Sequence, residues 1–181
     1  MAMTDVTTRR YDSADSLSSF GLLVLRFATG ATMVQAGLIK AFDHDSAVEF
    51  MDSTGWRMSK FAAILVTVAE TAGGVGLLLG LLTPVAACAV IAAMIDAWAV
   101  NVSAGVFWSE PFNVPFVVAL GATALLFTGA GAFSVDARVF GRPSWPGFVT
   151  VGLFVMAIAA AVVTWILLNG TNPIHVGSPA G

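Results

Sequence analysis

Charge is scarce in this chain of 181 residues: 10% are Asp, Glu, Lys or Arg, against about 25% in an ordinary soluble domain. That excludes a conventional water-soluble surface. With 57% hydrophobic residues and a mean hydropathy of +0.87, most of the chain is expected to lie against lipid. Cys88 is the single cysteine. An internal disulfide, a CxxC redox pair and a thiolate-bound iron–sulfur cluster are therefore excluded for this chain alone. The two histidines, His44 and His175, fall outside the apolar runs, which excludes intramembrane bis-His haem on the same terms. A net charge of -3 without a basic block gives no reason to expect nucleic acid. No Ser-His-Asp arrangement or metalloprotease helix is present, and Tyr11, the one tyrosine, lies in the polar N-terminal tail. The chain lacks the parts to run redox chemistry unaided.

What is there is long apolar segments. Five of them, at 20–39, 61–82, 85–102, 114–133 and 148–168, are long enough to cross a bilayer, which takes roughly 17–25 residues as a helix. They are continuous, without the period-two alternation of barrel strands, and lipid offers no backbone partners, so each must be helical. The fold class is all-α: an integral membrane bundle with five transmembrane helices, which the resemblance given below divides into a four-helix bundle plus a fifth. The opening stretch, MAMTDVTTRRYDSADS, lacks the apolar core and cleavage site of a signal peptide, so the N-terminus is expected to be retained. Residues 1–18 read as a polar tail, 19–139 as the four-helix domain, and 140–181 as linker, fifth helix and polar C-terminal tail.

The connections differ in kind. The loop 40–60, with Val48, Met51 and Trp56 among acids, reads as a short amphipathic helix on the membrane surface, ended by Gly55. Within it, Asp43, His44, Asp45 and Glu49 read as a solvated face, not a metal site. Thr83–Pro84 reads as a two-residue turn. Loop 103–113 carries Trp108 as an interfacial anchor. Arg9, Arg10, Arg138 and Arg142 against Lys40, Arg57 and Lys60 give a slight preference for a cytoplasmic N-terminus and an external C-terminus.

Three charges fall within the spans: Arg26, Glu70 and Asp96. Glu70 lies as far before Thr83 as Asp96 lies after it, which places both acids level in a hairpin centred there, roughly 18–20 Å from the turn. A start of the first helix near Ser16 would bring Arg26 within reach. Gly30 and Gly37 on the first helix and Gly73, Gly74 and Gly76 on the second mark contact faces, because small residues let membrane helices approach closely. Glu70 is then either paired with Arg26 or holds a proton beside Asp96. The cluster reads as a polar pocket for a small head group such as a quinone carbonyl, as a proton relay, or as an ion pair fixing helix register. Gly73, Gly74, Gly76 and Gly80 follow no strand, so they read as packing and not as a dinucleotide loop.

Read in order, "LRFATGATMVQAGLIKAF", "AETAGGVGLLLGLLTPVAA" and "GAGAFSVDARV" resemble the DoxX family of small bacterial membrane proteins. The carriers are Arg26, Gly37 and Lys40, an acid–glycine–glycine second helix with a Gly-Leu-x-Thr turn, and a Gly-x-Gly-x-x-Ser-x-Asp ending. The resemblance implies a four-helix membrane bundle with Arg26 and Glu70 in family-type positions. Members are linked to membrane redox complexes, among them the small membrane subunit of a thiosulfate:quinone oxidoreductase. Actinobacterial relatives are proposed to tie a sulfurtransferase and a superoxide dismutase to the membrane. Where relatives often have histidine before the glycine of helix one, this chain has Gln35-Ala36-Gly37. Its fifth helix is an addition, with a small-residue stripe at Ala157, Ala160, Ala161 and Thr164 suited to docking another membrane protein or to packing on its own bundle.

The expectation is an accessory subunit of a bacterial respiratory or sulfur/oxidative-stress redox complex in the plasma membrane, touching lipid and partner subunits. No covalent cofactor or metal is expected, and quinone is the candidate ligand. A small proton-coupled transporter and a purely structural anchor are the alternatives.

Overall fold

A computed structural model describes residues 2–104, 109–171 and 173, with side chains from Ser16 onward. Trp108 and His175, and the side chains of Arg9, Arg10 and Tyr11, lie outside the described residues. The described chain is helical without strands. Its helices are α1 (Ala2–Phe42), α2 (His44–Ser53), α3 (Ser59–Leu79), α4 (Thr83–Ser103), α5 (Val114–Thr128), α6 (Val135–Val139) and α7 (Gly147–Thr164), the last running into a π-helical turn, Trp165–Asn169.

Four stretches are long and apolar enough to cross a membrane: Ser16–Phe42, Ser59–Leu79, Thr83–Ser103 and Gly147–Asn169. Their outward faces carry large apolar side chains such as Phe20, Phe27, Ile64, Val155 and Ile166, which is what contact with lipid requires. The chain is a multi-pass membrane protein.

The fifth expected span is shorter than its apolar run. α5 has 15 residues, about 22 Å of helix, against a hydrocarbon core of about 30 Å. It stops because Gly129 and Gly131 take positive φ, 84° and 76°, a region open to glycine and unfavourable to other residues. The apolar run therefore continues from 129 to 134 as irregular backbone. α2 forms where the amphipathic pattern places it, with Asp43 capping its first turn through the Ser46 N–H at 3.2 Å. Ala47 and Met51 are its buried side.

The α3–α4 hairpin is centred earlier than the sequence suggests. Gly80 ends α3 in the left-handed region (φ 63°), donating to Leu77 O, while the Leu81 N–H returns to Gly76 O at 2.8 Å. This is a Schellman closure. Thr83 and Pro84 are not the turn; they open α4, where proline's missing N–H costs nothing. The turn is residues 80–82.

α1 and α3 pack antiparallel with their backbones nearly touching. A Cβ on Gly74 would fall 2.7 Å from Val34 N and one on Gly30 2.7 Å from Leu78 N; Gly37 is as tight against Thr71 N. Gly73 and Gly76 serve the other side of α3, against Val90 and Ala86 of α4. α5 and α7 pack on α4, and one apolar core runs through Leu77, Val90, Ile91, Leu125 and Ala157.

Within α7, Ala157 and Ala161 are fully enclosed by the chain's own bundle, the second of the two placements that the small-residue stripe suits. Their small side chains let α7 sit close to its neighbours. Ala160 and Thr164 line a cavity described below. The end of α7 is also pinned to the α2–α3 connection. The Arg57 N–H donates to Leu168 O at 2.7 Å and the Asn169 side-chain amide to Thr54 O at 3.0 Å. Trp56 and Trp165 meet edge to face at 5.7 Å.

Candidate functional site

The three intramembrane charges do not meet. Arg26 and Glu70 lie on facing helices but at different depths, because the glycine contacts fix the register. Arg26 falls level with the end of α3, and Lys40 falls near Glu70. The reach of Arg26 is thus set by the α1–α3 contact and not by where α1 begins. This corrects the expected Arg26–Glu70–Asp96 cluster.

Arg26 is buried and spends its guanidinium on backbone carbonyls. It donates to Leu77 O (3.1 Å), Leu78 O (2.8 Å), Ala130 O (3.1 Å) and Phe133 O (2.8 Å). The first two are carbonyls at the C-terminal end of α3, Leu77 O also accepting the Gly80 N–H, and the others belong to the irregular stretch after α5. Non-helical backbone at membrane depth persists only where protein or trapped water satisfies it. Arg26 does so here, with a planar fork that one ammonium cannot copy.

Asp136, fully buried, completes the same station. Its Oδ1 accepts the Leu82 N–H at 2.7 Å and its Oδ2 the Thr83 N–H at 2.9 Å, at the start of α4. Oδ2 also accepts from Trp145 Nε1 at 3.0 Å, and the Asp136 N–H donates to Gly80 O at 2.8 Å. The arginine of α1, the Gly-Leu-Leu-Thr turn at 80–83 and the Ser-x-Asp at 134–136 therefore converge on one end of the bundle. Their geometry closes backbone ends, and the Arg26 and Asp136 side chains are both spent on it.

The other end is different. Glu70, 3% exposed, pairs with Lys40 Nζ at 2.7 Å. Lys40 comes from the last turn of α1, where the helix dipole also favours a cation. This settles how the lone acid of helix α3 is accommodated: neither Arg26 nor a shared proton with Asp96 is required. Both residues line a half-enclosed cavity of about 480 Å³ bounded by α1, α2, α3, α4, the start of α5 and the end of α7. Asp96 lines it too, without a hydrogen-bonding partner among the described residues. With the hairpin centred on Leu81, Asp96 lies not level with Glu70 but roughly one turn, about 6 Å, nearer the α2 end.

The remaining wall is mostly small or apolar, with Ala36, Ala69, Ala92 and Met94 among its members. Phe50, Met51 and Trp56, from α2 and the connection after it, close the cavity at the surface end. Trp56 is 6% exposed and its Nε1 has no hydrogen-bond partner among the described residues. Lys40 and Trp56 were missed as site residues in the sequence reading. The signal for Lys40 is the helix register: Gly30 against Gly74 and Gly37 against Thr71 bring the end of α1 beside Glu70. No group of three or more metal-ligating side chains occurs among the described residues, and Asp43 is occupied as a helix cap.

Residues 21–104, which run from α1 to just past the end of α4, match the family model for DoxX. That segment is similar to DoxX. Arg26, Lys40, Glu70 and Asp96 all fall within it, whereas Asp136 and α5–α7 lie beyond the matched DoxX segment. No curated protein and no solved structure gives a match.

Proposed function

We propose that this DoxX-domain protein is an accessory subunit of a bacterial respiratory or sulfur/oxidative-stress redox complex, and that its cavity receives a quinone head group. The observation that carries this reading is the cavity itself. It has a volume in the range of small-ligand sites, apolar walls suited to a ring, and Lys40, Glu70 and Asp96 as its charged groups. Ionisable side chains inside a membrane are costly and mark function by default. On the proposed topology, with the N-terminus in the cytoplasm of a bacterial plasma membrane, the cavity lies in the outer half of the bilayer.

Replacing Glu70 with alanine strands Lys40 beside an apolar wall. A charge-assisted contact of this kind contributes on the order of 1.5–3 kcal/mol, so quinone binding by the variant is expected to weaken at least about tenfold. The check is equilibrium binding to the detergent-solubilised chain, together with mass spectrometry of proteins co-purified in mild detergent. Wild-type quinone affinity and an unchanged set of co-purified proteins in the variant would remove the site from consideration.

A second reading, proton-coupled transport, draws on one observation: Glu70 and Asp96 line the same cavity. Proton flux into vesicles containing only this chain would favour it over the subunit reading.

A further inference from the structure

We infer that the cavity discriminates by redox state, holding the hydroquinone form of its ligand more tightly than the quinone, with Asp96 as the residue that decides. The inference rests on the quinone reading of the cavity and adds the protonation state of the bound head group. The two forms share a ring and differ where hydrogen bonds are made: a quinone offers only acceptors, whereas a hydroquinone offers two O–H donors as well.

The charged groups facing the cavity are Lys40 from α1, Glu70 from α3 and Asp96 from α4; α2, α5 and α7 contribute none. Glu70 is committed to Lys40 at 2.7 Å. The Lys40 ammonium has three N–H bonds; one goes to Glu70 and a long one, 3.5 Å, to Ala36 O. One donor therefore remains for a ligand oxygen, which either form supplies. Asp96 is the unspent carboxylate; Trp56 Nε1 is a further unspent donor, which the oxygens of either form can meet. When ionised, Asp96 accepts hydrogen bonds and donates none, so a carbonyl oxygen placed against it is repelled and a hydroxyl is held. Burial in a cavity of low polarity enlarges both effects. One oxygen accepting from Lys40 and one hydroxyl donating to Asp96 fit a hydroquinone, and only half of that pattern fits a quinone.

The test compares a short-tailed benzoquinone with its hydroquinone, the latter kept reduced under anaerobic conditions. Binding to the purified full chain is measured at alkaline pH, where a carboxyl is ionised. The wild-type protein is expected to hold the hydroquinone at least about tenfold more tightly, the difference one charge-assisted hydrogen bond makes. Asp96→Asn, which both donates and accepts, is expected to bind the two forms alike. Equal or tighter binding of the quinone by the wild-type chain overturns the inference while leaving the cavity a quinone site. So does an Asp96→Asn chain that keeps the full preference. Binding of neither form overturns the cavity reading and the inference with it. The wild-type comparison needs no variant to fold.

Discussion

Replacing Arg26 with leucine is expected to remove the folded protein from the membrane fraction, not to trim an activity. Four carbonyls at 2.8–3.1 Å lose a charged donor at once, and of these Leu77 O keeps the Gly80 N–H. Hydrogen bonds to a charged group contribute roughly 1.5–3 kcal/mol each, and a buried acceptor left alone carries a further penalty. Even with partial rehydration at these helix ends, the loss is on the order of 5 kcal/mol, enough to consume most of a typical domain's stability. Lysine is expected to rescue little, since a point charge cannot reach all four acceptors with the geometry of a fork. Thermal unfolding in detergent, with yield of monodisperse protein as a second readout, checks this. A melting temperature for Arg26→Leu within a few degrees of wild type would show that the carbonyls find other partners.

Gly74→Val is expected to rank beside it, for a different reason. The new Cβ would lie 2.7 Å from Val34 N, 2.8 Å from Met33 Cβ and 3.0 Å from Gly30 O. Two of those three are backbone, so no rotamer change relieves the clash and α1 must leave α3. Overpacking of flexible neighbours costs typically 1–3 kcal/mol; here the cost is larger because a whole helix moves and the Lys40–Glu70 pair parts with it. Gly152, where nothing lies within 4 Å of an added Cβ, supplies the control. Gly152→Ala is expected to behave as wild type, and Gly74→Val to lose both thermal stability and quinone binding. A Gly74→Val protein with native stability would mean that α1 and α3 are not in contact at this register.

These two positions show how far the sequence could be read. Spans were legible because lipid leaves a chain with few charges one way to satisfy its backbone, and α2 was legible from Val48, Met51 and Trp56 spaced among acids. α5 was overextended because hydropathy counts Ala130 and Phe133 as membrane residues without knowing that Gly129 and Gly131 turn the chain there. The charged residues are visible in the sequence, but their partners are not. A hairpin centred on Thr83 and a first helix starting near Ser16 put Arg26 beside the acids, whereas the glycine contacts put it level with the end of α3. Register depends on which glycines face which, and that is a property of two helices together. Asp136 shows the same limit. Its motif is visible in the sequence, but its role as the cap for α4 depends on a contact across more than fifty residues of chain.

The division of the molecule follows from these partners. One end closes carbonyls and N–H groups with Arg26 and Asp136, and is rigid by construction. The other gathers Lys40, Glu70 and Asp96 around open space, under a roof formed by α2 and the segment after it. The end of α7 holds that roof through Arg57, Trp56 and Thr54, which gives a helix outside the matched DoxX segment a place in the site's architecture.

Photolabelling native membranes with an azido-benzoquinone tests this division most directly. Label on the 50–70 segment and on the stretch of α4 around Asp96, suppressed by excess unlabelled benzoquinone, is the expected result. Label that spreads along the lipid-facing sides of α1 and α7 without competition, or that concentrates beside Arg26 and Asp136, would contradict it.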